Sequence, residues 1–293
     1  MQQEDVFQAY KPLLFSIAYN MLGSVMDAED CVQEAFLRWY QASDNSETEA
    51  VRSPKSYLST IVTRLSIDHL RSARVRREQY IGVWLPEPLI TTDETSVTGM
   101  AELSEALSVA FLHLLEQLSP LERAVFLLRQ IFDYEYGEIA AMVQKSENNC
   151  RQIVRRARQH LGVHRSLYPA SREQQDAILH QFLRACMDGD MDGLLDLFAN
   201  DIVTYSDSGG KAPAARNPIY GADRVARLLL GLLRKAPEDY RSRVALINGQ
   251  PGLINYVNSV PSAILTLDIL DGHIWEIDVI VNPDKLQGVP ALN

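Results

Sequence analysis

The chain has 293 residues, of which 46% are apolar and 23% charged, the balance of a globular protein. This composition excludes a wholly disordered or collagenous chain, and at roughly 150 residues per domain the length predicts about two domains. The 28 Lys and Arg residues against 38 Asp and Glu residues leave a net charge of −10, which at first argues against nucleic-acid binding, because phosphate contacts need basic residues.

The charge is unevenly distributed along the chain. Residues 51–80 carry +5 and residues 121–168 carry +3, whereas residues 1–50, 81–120 and 169–293 carry −7, −6 and −5. Local potential, not net charge, steers a protein to DNA within a Debye length of about 10 Å. The two basic segments are therefore candidates for nucleic-acid contact, although a solvated helix face gives the same pattern.

Cysteine usage and apolar runs indicate the compartment. Cys31, Cys150 and Cys186 are odd in number and form no CxxC pair, which predicts reduced thiols and neither a disulfide framework nor a zinc site. We expect no cofactor and no metal. The sequence has no secretory leader and no apolar run near the ~18 residues of a membrane span, so we expect a cytoplasmic protein.

Helices are predicted throughout the first half of the chain. Residues 5–42 form two, broken at Gly23-Ser24, and a third begins at Ser53-Pro54, with Ser as N-cap and Pro at the first helical position. Residues 81–103 lack periodicity and predict a linker. A helix over 104–117 follows.

The next helices carry clearer start signals. Ser119-Pro120-Leu121-Glu122 is a capping box that predicts a helix running to about Ile131. Shorter helices are predicted over 135–143 and 146–161.

The character of the chain changes after Tyr168-Pro169. Helices are predicted over 171–187, 191–198 and 221–234, and strands over 201–205, 241–248, 253–258, 263–270 and 273–281. Asn248-Gly249 and Asp271-Gly272 are hairpin-turn signals. Residues 1–165 are thus expected to be all-helical and residues 170–293 α+β.

Residues 136–161 have the pattern of a helix-turn-helix. In its first helix Ile139, Ala140 and Val143 are expected to point inward. The second helix has a buried stripe at Cys150, Val154, Ala157 and Leu161, and polar and basic residues on its open faces. This split is typical of a recognition helix, although helical hairpins of solenoids share it. The candidate DNA contacts are Asn148, Asn149, Arg151, Gln152, Arg155, Arg156 and Arg158.

A second pattern lies near the N-terminus. The run DAEDCVQEAFLR (27–38) places Asp27, Asp30 and Glu34 on one helix face, and SYLSTIVTRLSIDHLRS (56–72) follows downstream. These two runs resemble sigma-70 regions 2.2 to 2.4. SPLERAVFLLRQIFDYEYGEIA (119–140) with RQIVRRARQHL (151–161) resembles region 4. The two-region layout is similar to that of extracytoplasmic-function (ECF) sigma factors.

The remaining motifs resemble a SigJ-like branch of that family with a SnoaL-like, NTF2-like C-terminal extension. They are WLPEP (84–88), the loop DSGGK (207–211) and NPDKL (282–286). The branch usually has DGGGK in the loop, and Ser208 would be costly if its position needed a positive φ.

The resemblance implies a multidomain architecture of two all-α sigma domains followed by an α+β cone. The expected division is region 2 over 1–80, an acidic linker over 81–104, region 4 over 105–165 and the SnoaL-like domain over 170–293.

The resemblance also implies the partners of each part. Core RNA polymerase, through its β′ clamp and β flap, and promoter DNA are the expected partners of a protein that is monomeric off polymerase. Polymerase contacts are expected from Asp27, Asp30, Gln33 and Glu34. Contacts to the −10 element are expected from Arg64, His69, Arg71 and Arg74. The helix-turn-helix residues named above would contact the −35 element.

The C-terminal domain is expected to regulate in cis by contacting the linker, and its cavity has room for an unknown small ligand. The interdomain residues implied are Trp84, Leu85, Pro86, Asp207, Gly209, Gly210, Lys211, Asn282, Pro283, Asp284 and Lys285. Relatives of this fold catalyse proton transfers, for which Asp207, His273, Asp278, Tyr205 and Tyr256 are candidates, but fold alone does not imply chemistry and we expect no catalytic residue.

Three functions are compatible with these patterns. The first is a sigma factor tuned by its extension. The second is a ligand-sensing helix-turn-helix regulator that works without polymerase, and the third is a bifunctional protein with SnoaL-type activity. The acidic face at 27–34 and the basic helix at 53–77 favour the first, since a simple regulator needs neither.

Overall fold

The computed structural model describes residues 3–44, 53–77, 80–91, 107–162 and 170–292. The chain divides into two compact units. The first comprises residues 1–78, 95–107 and 114–163, and the second comprises residues 79–94, 108–113 and 164–293. The predicted domain boundaries remain a prediction, but residues 81–94 of the segment predicted as a linker belong to the second unit.

The first unit begins with three helices, α1 (Gln3–Leu22), α2 (Val25–Asp44) and α3 (Pro54–Arg77). Ser24 caps α2, because its Oγ accepts a hydrogen bond from the Asp27 amide at 3.3 Å. Leu14, Leu58 and Val62 are fully buried where the helices meet. The predicted break and helix starts are therefore confirmed.

Shorter helices follow along the chain. Helix α4 (Val109–Leu114) continues as a 3-10 turn (Leu115–Gln117). Then come α5 (Pro120–Gln130), α6 (Tyr136–Val143) and α7 (Glu147–His160), which complete the first unit. The capping box at Ser119 and Glu122 forms as predicted. The predicted helix over 104–117 begins only at Val109 in the described chain, because Ser108 caps it by accepting from the Phe111 amide.

A buried arginine joins α1 to α5. Arg123 is 1% exposed, and its guanidinium donates to the Asn20 carbonyl at 3.1 and 3.3 Å and to the Glu116 carboxylate. A buried charge is tolerated when it is paired and hydrogen-bonded in this way. Arg123 therefore acts as a structural residue and is not available to DNA.

The second unit consists of helices packed on a mixed sheet. Its helices are α8 (Arg172–Asp188), α9 (Met191–Leu197) and α10 (Ala222–Leu233). Its strands are β1 (Ile90–Thr91), β2 (Phe198–Asp207), β3 (Ile219–Tyr220), β4 (Arg241–Ile247), β5 (Gln250–Val257), β6 (Val260–Leu270) and β7 (His273–Ile280). The sheet order is β1-β4-β5-β6-β7-β2-β3, and the β2–β7 pair is parallel.

The sheet has an apolar cluster on each face. On the helix-covered face, helix residues such as Phe182 and Leu229 pack against strand residues such as Leu253 and Ile277. On the opposite face, which we call the linker face, Leu85 and Val109 pack against β-strand residues such as Ile254 and Ile280. The linker and the start of α4 thus take the place of a helical layer on this side.

The predicted α+β class of the C-terminal part is confirmed, and so are its two hairpin turns. Asn248-Gly249 and Asp271-Gly272 all have positive φ. The expectation that residues 1–165 are all-helical is wrong at Ile90 and Thr91, which pair with β4 as an edge strand. Two alternating residues are too few to give a strand signal. Within the described ranges, no helix is long and apolar enough to cross a membrane.

Candidate functional site

Helix α7, which the sequence predicts to be the recognition helix, is amphipathic. Ser146 caps it by accepting from the Asn149 amide at 3.3 Å. Cys150, Val154 and Ala157 are at most 3% exposed, so the predicted buried stripe is confirmed. The opposite faces present most of the predicted DNA contacts to solvent: Asn148, Arg151, Gln152, Arg155, Arg156 and Arg158 are exposed and Asn149 is half-buried.

Some of these side chains are already oriented by neighbours. Arg151 pairs with Glu147 at 3.1 Å and stacks over the Tyr136 ring at 4.6 Å. Arg158 donates to the Gln130 side chain at 3.1 Å. Glu122, beside Arg156, has a pKa lowered mainly by the Ser119 hydrogen bond, with Arg156 adding a smaller effect. The basic face is thus partly preorganised.

The buried face of α6 differs from the prediction. Ile139 is fully buried as expected, but Met142 is fully buried while Ala140 and Val143 are only half-buried. Met142 lies three residues and Val143 four residues after Ile139, so both lie on its side of the helix, and Met142 takes the fully buried position. The predicted inward positions of Ala140 and Val143 are therefore only partly met.

The basic residues of α3 lie in defined environments. Arg64 donates to the Met142 carbonyl at 2.8 Å and the Ala141 carbonyl at 3.2 Å, at the C-terminal end of α6. Arg71 pairs with Asp68 at 3.1 Å. Cations bind well at the negative end of a helix dipole, so Arg64 joins α3 to the helix-turn-helix. Arg74 lies within α3, but its side chain is outside the described residues.

The acidic face of α2 has an inner and an outer part. Asp27 lies 3.3 Å from the imidazole of His69 on α3, whereas Asp30 and Gln33 are exposed and Glu34 pairs with Arg38 at 2.7 Å. Asp27 and His69, predicted to serve polymerase and DNA respectively, therefore contact each other. Asp30, Gln33 and Glu34 form the accessible part of this face.

The linker is held in the second unit by a buried carboxylate. Asp207, at the end of β2, is fully buried. Its Oδ1 accepts from the Tyr80 hydroxyl at 2.6 Å and the Gly209 amide at 3.1 Å. Its Oδ2 accepts from the Leu85 amide at 2.9 Å and the Lys285 ammonium at 2.7 Å. Four donors, one of them a cation, make this a fully satisfied buried charge.

Lys285 connects the NPDK segment to the linker from the other side. Besides Asp207, its ammonium donates to the Leu85 carbonyl, and it lies 4.3 Å from the centre of the Trp84 ring and 5.6 Å from that of Tyr80. Asn282 is buried and donates to the Tyr80 hydroxyl at 2.8 Å. The conformation of the linker is thus determined by both the 207–211 loop and the NPDK segment.

The remaining residues of the two motifs shape this contact. Leu85 and Pro86 are buried, which places apolar surface beneath the polar network. Lys211 on the loop pairs with Asp284 on the NPDK segment. Pro283 occupies the first turn of a short 3-10 helix capped by Asn282. All of the predicted interdomain residues therefore lie in one region of the second unit.

Both glycines of the loop are required by geometry. Gly209 and Gly210 have φ of 55° and 73°. A Cβ on Gly209 would lie 2.6 Å from the Asn282 amide nitrogen, and one on Gly210 would lie 3.0 Å from Ile81. Ser208 is not among the described residues with positive φ. Its hydroxyl accepts from the Gly210 amide at 3.2 Å, so the serine carries no left-handed strain here.

The sequence reasoning missed two residues of this contact. Tyr80 is central to the Asp207 network, and burial together with the Asp207 hydrogen bond raises its pKa well above the ordinary value. The side-chain oxygen of Asn248 accepts from the Leu89 backbone amide at 3.0 Å, and the backbone amide of Asn248 donates to the Leu89 carbonyl at 2.7 Å. Their partners are distant in sequence, and Asn248 already had an explanation as a turn residue.

The acid–base candidates do not form a catalytic group with Asp207. Asp207 is engaged with the linker, as described, and Tyr256 donates to the Pro290 carbonyl at 3.3 Å. His273 is exposed beside the Asp271 carbonyl. Tyr205 and Asp278 are paired across β2 and β7 on the linker face. The helix-covered face is packed with apolar side chains.

Comparison with known proteins gives the family. Residues 6–76 match Sigma-70 region 2, and residues 108–161 match Sigma-70, region 4. The chain is 35% identical to the ECF RNA polymerase sigma factor SigJ of Mycobacterium tuberculosis, over 97% of this chain and 93% of that protein. It is 30% identical to the probable ECF RNA polymerase sigma factor SigI of the same species, over 99% and 98%.

The structural comparison covers the same extent. The crystal structure of Mycobacterium tuberculosis SigJ matches 98% of this chain and 99% of that chain, with a TM-score of 0.79 and 32% identity. The chain therefore belongs to the ECF sigma factors, which direct RNA polymerase to promoters. Its C-terminal unit is the helix and mixed-sheet domain expected of the SigJ-like branch.

Proposed function

We propose that this sigma factor reads the −35 element through the exposed face of α7 and the −10 element through α3. The observation that carries the first part is the complete separation of α7 into a buried stripe and an open basic and amide face. Asn and Gln suit adenine edges, while Arg suits guanine edges and phosphates. The basic residues of α3 would hold the melted strand, as a positive groove does for single-stranded DNA.

Polymerase binding is proposed for the outer acidic face of α2. Asp30, Gln33 and Glu34 are accessible there, and charge complementarity with a basic surface of core polymerase would set orientation and encounter rate. Asp27 would act indirectly, by positioning His69. Substituting Asp30 and Glu34 with Lys should therefore reduce core binding, whereas Asp223→Lys on α10 is the matched control. If the Asp30→Lys and Glu34→Lys variants bind core polymerase as well as the Asp223→Lys control does, this assignment is refuted.

The arrangement of the first unit implies a rearrangement before promoter binding. Arg64 donates to the end of α6, and Ser59 on α3 shares a buried 2.7 Å hydrogen bond with Tyr134. For Arg64 to contact DNA phosphates, its bonds to α6 must be exchanged. We infer that core polymerase and promoter supply the differential binding that favours this exchange.

The C-terminal domain is proposed to regulate in cis by controlling the linker conformation, with no enzymatic role. The carrying observation is that Asp207, Lys285 and Asn282 all bind linker atoms. A buried carboxylate saturated by structural donors is poorly suited to proton transfer.

Run-off transcription with core polymerase tests the regulatory proposal. Asp207→Asn and Lys285→Met should each change promoter output several-fold relative to the wild type. Asp271→Asn, at an exposed hairpin turn of the same domain, should leave promoter output unchanged, because this turn position tolerates Asn. Unchanged output with both linker-releasing variants would contradict regulation through this contact.

A further inference from the structure

A cluster of three metal-ligating side chains lies on the linker face of the sheet. His113 comes from α4, and Glu276 and Asp278 come from β7. Their ligand atoms all lie within 4.8 Å of one another. Glu276 and Asp278 are two residues apart on one strand and therefore share a face. No local spacing predicts this cluster, because His113 precedes the two acids by more than half the chain.

The two carboxylates are deeply buried. Glu276 is 2% exposed and Asp278 is 1% exposed, and Val109, one turn before His113, belongs to the apolar cluster of this face. Placing two like charges together in such surroundings is costly without compensation. A divalent cation bound between the three side chains would balance the charge of both carboxylates.

The imidazole is held in an orientation suited to shared ligation. Its Nδ1 lies 3.6 Å from a carboxylate oxygen of Glu276. The ring packs edge-on against Tyr205 at a centroid distance of 4.6 Å and an interplanar angle of 82°. The His113 side chain is 20% exposed, so the imidazole is in contact with solvent.

The ligand set selects a chemical class of ion. One imidazole and two carboxylates suit Zn²⁺, Mn²⁺ or Fe²⁺, whereas Ca²⁺ and Mg²⁺ prefer sites built from oxygen alone. Three protein ligands leave further positions for water. We propose that His113, Glu276 and Asp278 form a binding site for a divalent transition-metal ion. The bound ion would fasten the first helix of the region 4 match to the C-terminal sheet.

Metal titration of the full-length protein tests this proposal. Co²⁺ serves as the spectroscopic probe and Zn²⁺ as its competitor, after dialysis against a chelator. We expect one Co²⁺ per chain with visible absorption that Zn²⁺ abolishes. His113→Gln and Asp278→Asn should each weaken binding at least tenfold, while His273→Gln, an exposed histidine of the same domain, should bind as the wild type does.

A measurement on the wild type alone tests the same site even if the substituted proteins misfold. Pulsed EPR of the Mn²⁺-loaded wild type should show nitrogen coupling from a single imidazole. Absence of stoichiometric binding, binding that both substitutions leave unchanged, or loaded protein without imidazole coupling would each overturn the proposal. The proposal would also be overturned if the His113–Glu276 contact changed with pH but did not change when metal or chelator was added.

Discussion

Asp207 is the residue on which linker docking depends most. It accepts from two linker groups, the Tyr80 hydroxyl and the Leu85 amide, and its charge is balanced by Lys285. Hydrogen bonds to a charged group contribute about 1.5–3 kcal/mol. Asp207→Asn should therefore accelerate hydrogen exchange over residues 80–90 by tenfold or more. Mass-spectrometric exchange checks this, with Asp271→Asn as control, and equal protection in both would contradict the assigned role.

Gly209 offers a second test at the residue scale. An alanine there needs a left-handed backbone and also places its Cβ 2.6 Å from the Asn282 side chain. Gly272 has φ of 80° but nothing within 4 Å of an added Cβ. Both Gly→Ala changes carry the backbone cost, of about 1 kcal/mol, and Gly209→Ala should cost more in urea unfolding. Equal losses would show that the contact with Asn282 is unimportant.

At this scale the sequence predicts motif residues better than their partners. The DSGGK and NPDKL motifs identified Asp207, Asn282 and Lys285 because each is part of a short recognisable run. Tyr80 and the cluster of His113, Glu276 and Asp278 carry no local signal, since their partners are brought together only by the sheet. Val143 is only half-buried because Met142, on the same side of this short helix, takes the fully buried position.

Among the elements, α5 has the clearest sequence-encoded start. The Ser119 side chain accepts from the Glu122 amide, and the Glu122 carboxylate accepts from Ser119. Ser119→Ala should cost about 1 kcal/mol in the free energy of unfolding. The Ser119 hydrogen bond lowers the Glu122 pKa, so this contribution is present above the ordinary pKa of Glu and fades as the pH falls below it.

Urea unfolding of Ser119→Ala at neutral and acid pH checks this prediction. The difference from the wild type should be largest near neutrality and should shrink in acid, as the pH falls through the lowered pKa of Glu122 in the folded state. Ser171→Ala, which removes the capping box of α8 with Gln174 as partner, is the control without a titrating carboxylate. A difference that stays constant with pH for Ser119→Ala would argue against the linkage.

The proposed DNA contacts of α7 can be tested through its exposed arginines. Arg155 and Arg156 are exposed on its open face. Replacing either with Ala should weaken promoter binding by the polymerase holoenzyme across sequences and reduce the salt slope by about one for each phosphate that is no longer neutralised. Fluorescence anisotropy at several salt concentrations measures this. Arg227→Ala, an exposed helical arginine of α10, should leave the slope unchanged, and a full slope in the α7 variants would exclude phosphate binding by these arginines.

The elements were largely predictable because capping boxes and helical periodicity are local signals. Ser24, Ser53 and Ser119 each begin a helix where expected. The strand at Ile90–Thr91 was not predictable, since it exists only by pairing with β4. The start of α4 at Val109 has a different origin, since it follows from the local Ser108 cap.

For the whole molecule, the distribution of charge is more informative than its sum. The net charge of −10 conceals a basic α3 and a basic α7, which belong to the first unit, and an acidic C-terminal segment, which belongs to the second. The division into units also places residues 79–94 and 108–113 in the same unit as the C-terminal sheet. The proposed regulation in cis depends on this arrangement and not on any single motif.

Run-off transcription by core RNA polymerase from promoters selected with this protein measures both promoter reading by α7 and control through the linker contact. We expect promoter-specific transcripts that require the wild-type chain and disappear with Arg155→Ala/Arg156→Ala. We also expect transcript levels to change several-fold with Lys285→Met but not with Asp271→Asn. Transcription that is insensitive to the α7 changes, or identical for Lys285→Met and the wild type, would contradict promoter reading by α7 or control by the linker contact, respectively.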